Sequence, residues 1–167
     1  VPNLSKNFIG LGIARVKEYL SIFGFGSLTG IDLPSEQEGR VPDPEWKENY
    51  FTTAIEQKWY LGDTYNLSIG QGYLLATPIQ LAVGYASIAN WGKTIKPHLA
   101  KSFLGSTSTQ EIEFLLEITR ENFISTSTLE IVREGMRQTV TSPAGSAHSL
   151  STLPVDVAAK TGTAQSY

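Results

Sequence analysis

Lys160-Thr161-Gly162-Thr163 is the stretch of this sequence whose residue types could do chemistry together. A lysine on a strand edge sets a fixed positive charge beside a cleft, where it can bind a carboxylate or keep a neighbouring group deprotonated. Gly162 removes a side chain where a substrate backbone must come close. Thr161 and Thr163 offer hydroxyls to the same anion, and the amide of Thr163 could be one donor of an oxyanion hole. These are the needs of acyl transfer on a peptide with a free carboxylate. The tripeptide alone is weak: three given residues in order occur by chance in about 4% of chains this long. The plainer alternative is a solvated strand edge followed by a turn.

The elements that must position this stretch can be read outward from it. "VDVAAKTGTAQ" predicts a strand, with Val155 and Val157 on one face and Ala159 and Thr161 continuing it. Before it, "STLE" offers a capping box, Ser127 with Glu130, at the start of a helix whose Leu129, Val132, Met136 and Val140 share a face. "TSPAGSAHS" ends that helix. "TIKPHLAKSFLG" and "EIEFLLEITREN" read as extended, with Pro97 favouring an edge. Further upstream, Thr77, Pro78 and Gln80 form a capping box with proline at the first helical position. That helix runs through Ile79, Ala82, Val83 and Ala86 toward Asn90, and Gly92 stops it.

The first helix is predicted in "LGIARVKEYLSIFGFG", where Ile13, Val16, Leu20 and Phe23 line one face. Gly24 suits the left-handed position after its end, and Phe25 folds back on the last turn. Residues 26–50 mix glycine, proline and charge without a period. They read as a long surface connection with one extended piece at Ile31–Leu33. Asp63, Asn66, Ser68 and Gln71 read as a polar loop cluster that satisfies backbone groups, in a tight loop permitted by Gly62, Gly70 and Gly72. Trp46, Trp59 and Tyr60 could stack on a sugar, but the preferred reading is that they anchor the long connection. Glu36, Glu38, Asp43 and Glu45 read as solvated loop charges, and His98 and His148 as ordinary surface or hydrogen-bonded residues.

Bulk properties narrow the classes. The 167 residues suit one domain or a piece of a larger one, and 41% hydrophobic with 17% charged residues describes a globular chain. A net charge of -3 and the lack of any basic run argue against nucleic acid as a partner. Zero cysteines exclude disulfides, thiolate metal sites and a cysteine nucleophile, and two distant histidines give no basis for a metal site. No apolar run reaches the length of a membrane-spanning helix. No signal peptide is read, and the chain opens at Val1, so a preceding segment is expected.

The ordered set "GFGSLTGIDLPSE", "DPEWK", "GDTYNLSIGQGYLLATPIQLA", "KPHLAK", "VREGMRQTVTSPAGSA" and "AAKTGTAQ" resembles the penicillin-binding protein 2 family. These are class B, elongation-type peptidoglycan D,D-transpeptidases, and the likeness spans residues 10 to 165. "GDTYNLSIGQG" is far more specific than Lys-Thr-Gly, and it favours a transpeptidase over a β-lactamase of the same fold.

The resemblance implies an α+β fold: a partial penicillin-binding, serine β-lactamase-like transpeptidase domain over 1–167. It would comprise mainly the helical part and the beginning of the antiparallel sheet. It implies a serine site with Ser-x-x-Lys, Ser-x-Asn and Lys-Thr-Gly motifs, acylated by D-Ala-D-Ala stem peptides or trapped by β-lactams. By motif position Lys160 would assist electrostatically and by hydrogen bonding. Thr161, Gly162 and Thr163 would bind the donor, the two threonines holding its carboxylate, and the Thr163 amide would complete the oxyanion hole. No Ser-x-x-Lys occurs in a matching context, so the nucleophile is expected before Val1, and later strands with a C-terminal helix after Tyr167. Ser5-Lys6-Asn7 matches Ser-x-Asn literally but lies too close to Leu11-Gly12-Ile13, and reads as loop. No cofactor and no metal are implied. The implied partners are peptidoglycan stem peptides, β-lactams and cell-wall elongation proteins, with a membrane anchor in the parent and this domain on the outer face of the bacterial cytoplasmic membrane. The competing reading is a non-catalytic interaction module of a cell-wall synthesis complex.

Overall fold

The computed structural model describes residues 11–104 and 111–162. Contacts divide the chain into two compact units, the described parts of Val1–Thr29 with Ser35–Leu81, and of Gly30–Pro34 with Ala82–Tyr167.

The first unit is helical. Helix α1 (Gly12–Ile22) carries Ile13, Val16, Leu20 and Phe23 on its half-buried face, as the spacing predicts. Its end is a Schellman motif. Gly24 takes φ +91°, its amide donates to Ser21 O at 3.0 Å, and the Phe25 amide donates to Leu20 O at 3.0 Å. The expected long connection is partly helical, because Asp43-Pro44 starts α2 (Pro44–Tyr50). The Asp43 carboxylate accepts the Trp46 amide at 2.7 Å, and proline fills the first turn without costing a bond. Asp43 is thus a cap, paired also with Lys17, and not a free loop charge. A short α3 (Ala54–Gln57) follows, capped by Thr53.

"GDTYNLS", expected as loop, is helix α4 (Leu61–Ser68). Asp63 sits at its third position and accepts the Tyr60 amide at 2.8 Å, and Leu67 is its buried residue. Gly62 lies inside the helix, whereas Gly70 and Gly72 do take positive φ just after it. Two members of the expected polar cluster have the structural role read for them: Asp63 and Ser68 both serve local backbone groups, Ser68 Oγ donating to Thr64 O. The aromatic residues anchor the connection. Trp46 stacks on Tyr50 at 4.8 Å and meets Tyr73 at 5.4 Å, with the Arg40 guanidinium 4.5 Å over its ring.

Helix α5 (Pro78–Ala89) starts as its sequence dictates. The Gln80 amide donates to Thr77 Oγ1 at 3.2 Å, and Gln80 Oε1 accepts the Thr77 amide at 3.0 Å. Gln80 is only 1% exposed, and its Nε2 also donates to Ser27 O and Glu38 O. Gly39 lies against it at φ +64°, where an added Cβ would meet Leu75 O at 2.5 Å and Gln80 Oε1 at 2.8 Å. Gly39→Ala is therefore expected to lower stability by about 2–3 kcal/mol, read as a reduced urea midpoint. An unchanged midpoint would show that the neighbouring antiparallel bridge, in which the Arg40 and Leu75 amides each donate to the other's carbonyl at 2.7 and 3.0 Å, can shift freely.

In the second unit α5 buries Val83, Gly84 and Ser87, while Ala82 is exposed. Ser87 Oγ donates to Val83 O and shares a hydrogen bond with Thr94 Oγ1 at 3.1 Å. The two extended stretches form short antiparallel pairs. β1 (Thr94–Ile95) pairs with β4 (Ile118–Arg120), and β2 (Ser102–Leu104) with β3 (Glu111–Glu113). Pro97 follows β1 and interrupts no ladder. Ile31–Leu33 is not a strand. Its centre, Asp32, uses its carboxylate to accept the Leu99 and Ala100 amides at 2.7 and 3.0 Å, a side-chain anchor in place of a ladder.

Helix α6 (Thr126–Thr141) begins two residues earlier than expected. Ser125, not Ser127, accepts the Thr128 amide, and the Leu129 amide reaches Ser125 O, so the earlier serine gains the helix an extra half turn. Leu129 and Val140 are buried and Met136 half-buried, while Val132 is exposed and half-buried Arg133 takes the inner position instead. Residues 155–162 carry no strand assignment. The alternation survives only at Val157 and Ala159, both half-buried, with Ala158 and Lys160 outward. A strand is defined by its ladder, and among the described residues this segment's backbone bond is Ala159 N to Met136 O at 3.0 Å, which ties it to a helix.

Candidate functional site

The last described segment lies along α6. Its entry is set by the turn after that helix: Ser142, before Pro143, is extended, the Ala147 amide returns to Thr139 O at 3.1 Å, and a 3₁₀ turn follows at His148–Thr152. His148 Nδ1 lies 3.0 Å from Val140 O, consistent with the ordinary hydrogen-bonded role read for it.

Lys160, Thr161 and Gly162 are all exposed, and among the described residues no atom lies within 4 Å of a Cβ added to Gly162. Lys160 Nζ donates to Thr161 O at 2.5 Å and, among the described residues, forms no ion pair. Among the described residues, then, no carboxylate neutralises its charge, and the side chain is exposed. The Thr161 hydroxyl is 3.2 Å from Ser146 Oγ, and the Tyr85 hydroxyl reaches Lys160 O at 3.5 Å. Thr163, like Ser5, Lys6 and Asn7, lies outside the described residues. Three of the four expected site residues are thus adjacent and open. Sequence reasoning missed Ser146 and Tyr85, since no spacing rule links residues 15 and 75 positions apart.

Beside this segment runs an open groove of about 640 Å³. Tyr85 and Ile88 of α5, Arg133 and Met136 of α6, and Val157 and Ala158 contribute to its lining. Arg133 donates to Ile88 O and Ala89 O, closing the last carbonyls of α5, and its guanidinium lies 4.4 Å over Trp91. On the rim, two hydrogen bonds from Arg137 and one from Gln138 hold the Glu134 carboxyl down to about 2. That carboxylate is already committed and is not available as a base. Among the described residues no three carboxylates or histidines gather where they could hold a metal ion.

The model of the penicillin-binding protein transpeptidase domain matches residues 4–167. This chain belongs to that family. The relatives are of the type that the quoted motifs imply. Peptidoglycan D,D-transpeptidase MrdA of Acinetobacter baumannii is 36% identical over 160 residues, which cover 93% of this chain and 22% of that protein. MrdA of Escherichia coli K12 is 37% identical over 161 residues, 94% of this chain and 24% of that protein. The chain therefore spans roughly a quarter of the length of these curated relatives. Among solved transpeptidases, Pseudomonas aeruginosa PBP2 in complex with WCK 5153 superposes with a TM-score of 0.77 at 38% identity, over 93% of this chain and 34% of that one. Helicobacter pylori PBP2 in complex with MreC gives 0.74 at 36% identity, over 93% of this chain and 27% of that one. The partial α+β transpeptidase fold read from the sequence is the fold of these proteins.

Proposed function

We propose that this chain is part of a serine D,D-transpeptidase domain and contributes the Lys-Thr-Gly wall of its acylation cleft. The observation that carries the reading is an outward lysine without an ion pair among the described residues, followed by open Thr161 and Gly162, in a chain whose family match runs through all of them. An ammonium not neutralised by its own protein is suited to a carboxylate arriving with the substrate. Lys160 and Thr163 are the catalytic members of this wall, and Thr161, Gly162 and Thr163 bind the donor. The acylated serine is supplied by a Ser-x-x-Lys segment outside these 167 residues. The hydroxyl attacks the D-Ala-D-Ala carbonyl, D-alanine leaves with a proton, and an amine of a neighbouring stem peptide then takes the acyl group and regenerates the serine. A β-lactam enters the same cleft and stays on the serine.

The partners in this reading are peptidoglycan stem peptides and proteins of cell-wall elongation, supported by the likeness to a PBP2 solved with MreC. No described helix is long and apolar enough to cross a membrane, and an anchor elsewhere in the full-length protein would hold this domain outside the cytoplasmic membrane. The test is labelling of the full-length protein with a fluorescent penicillin, followed by mapping of the labelled residue. The expected result is one acylated serine outside residues 1–167. A label on a serine within them, or no label at all, overturns the reading, and the second outcome leaves the non-catalytic interaction module.

A further inference from the structure

Three consecutive residues of the exposed segment are each held by one contact from a different element. Ala159 is bound through its amide to Met136 O of α6 at 3.0 Å, and Lys160 O is approached by the Tyr85 hydroxyl of α5 at 3.5 Å. Thr161 is met by Ser146 Oγ at 3.2 Å, the only one of the three contacts made to a side chain of the segment. The first two fix the path of the backbone. The third acts on the rotation of one hydroxyl, which is otherwise free in an exposed residue.

Ser146 is itself well placed to be rigid. Gly145 before it passes so close to Thr139 O that an added Cβ would collide with that carbonyl. Ala147 after it is 8% exposed, and its amide donates to the same Thr139 O. The His148 amide donates to Gly145 O at 3.1 Å. The serine therefore stands on a turn closed on both sides, with its hydroxyl directed at Thr161.

We infer that Ser146 is a positioning residue for the cleft wall, orienting the Thr161 hydroxyl toward the carboxylate of an incoming stem peptide or β-lactam. This rests on the function proposed above for Lys160 and Thr161. By donating its own proton to Thr161 Oγ1, Ser146 leaves the single Thr161 hydroxyl hydrogen free to point at the anion, and a donor aimed in advance spares the substrate the cost of aligning it. Ser146 touches no reacting atom.

The experiment is a double-mutant cycle on the full-length protein, following the second-order rate of acylation by a fluorescent penicillin. Ser146→Ala is expected to lower that rate about 3- to 10-fold, the worth of one neutral hydrogen bond. Ser146→Thr, which keeps the hydroxyl, is expected to restore most of it. In a Thr161→Val background Ser146→Ala should cost nothing further, which a purely structural role for Ser146 would not produce. Equal losses in both backgrounds, or no loss in either, overturn the inference. If Ser146→Ala lowers the melting temperature, the Ser146→Thr variant decides: an undiminished rate supports the hydroxyl's role, and a rate as low as the alanine variant's refutes it. A wild-type protein that is not acylated at all defeats the proposed function instead, so the two failures are distinct.

Discussion

Replacing Lys160 by alanine is expected to lower the rate at which the full-length protein is acylated by penicillin by about 100-fold or more, the usual loss when one preorganised electrostatic group is removed from an acyl-transfer site. Folding is hardly affected. Lys160 is exposed, its hydrogen bond runs to the carbonyl of the next residue, and among the described residues it balances no buried charge. Little of the structure therefore depends on it, which is how a residue kept for chemistry differs from one kept for packing. On the function proposed above, the loss would arise because the ammonium meets the substrate carboxylate and the developing charge in a site that closing substrate shields from water. Lys160→Arg retains the charge but replaces a compact ammonium by a planar fork, and should recover only part of the rate. Time courses of fluorescent-penicillin labelling, read beside thermal melts of the same variants, check both halves of the expectation. A Lys160→Ala protein acylated within threefold of the wild type would remove Lys160 from the mechanism, as would a large drop in melting temperature that accounts for the lost rate.

What could be read in advance divides by the range of the interaction. The start of α5 was legible because Thr77 and Gln80 satisfy each other within one turn, and the end of α1 because Gly24 and Phe25 return to Ser21 and Leu20. The start of α6 was displaced because Ser125 and Ser127 offer the same local chemistry, and only the extra half turn of helix separates them. Helices α2 and α4 were missed although Asp43-Pro44 and Asp63 are local caps, since the surrounding glycines and prolines dominated the pattern. The terminal strand was expected from alternation alone, but pairing is non-local and no alternation supplies a partner. The site divides in the same way. Lys160, Thr161 and Gly162 announce themselves as neighbours, whereas Ser146 meets Thr161 only because the turn after α6 brings residues 15 apart together.

The largest stability effect expected in the first unit comes from Asp63. Lys47 is 3% exposed, and its ammonium donates to Asp63 Oδ2 at 2.6 Å. Around it lie the rings of Tyr60 and Tyr73, each 5.3 Å away, and Trp59 at 5.9 Å. Aromatic faces attract a cation but do not replace a counter-charge, so the carboxylate is what makes this burial tolerable. Asp63 also accepts the Tyr60 amide at the start of α4, which joins the ion pair to a helix cap. Asp63→Ala strips both, leaving a buried ammonium without its anion, and should cost about 3–5 kcal/mol. Asp63→Asn keeps an acceptor for the lysine and the amide, and should cost less. The decisive comparison is Lys47→Met combined with Asp63→Ala: with the charge gone as well, most of the loss should return, leaving chiefly the cap deficit of about 1 kcal/mol. Urea denaturation followed by tryptophan fluorescence reads this directly, because Trp46 and Trp59 lie in the same unit. If Asp63→Ala shifts stability by less than 1 kcal/mol, or the double variant is no better than the single one, the pair is not what holds α2 and α4 in register, and the ring cluster around Trp46 must do so alone.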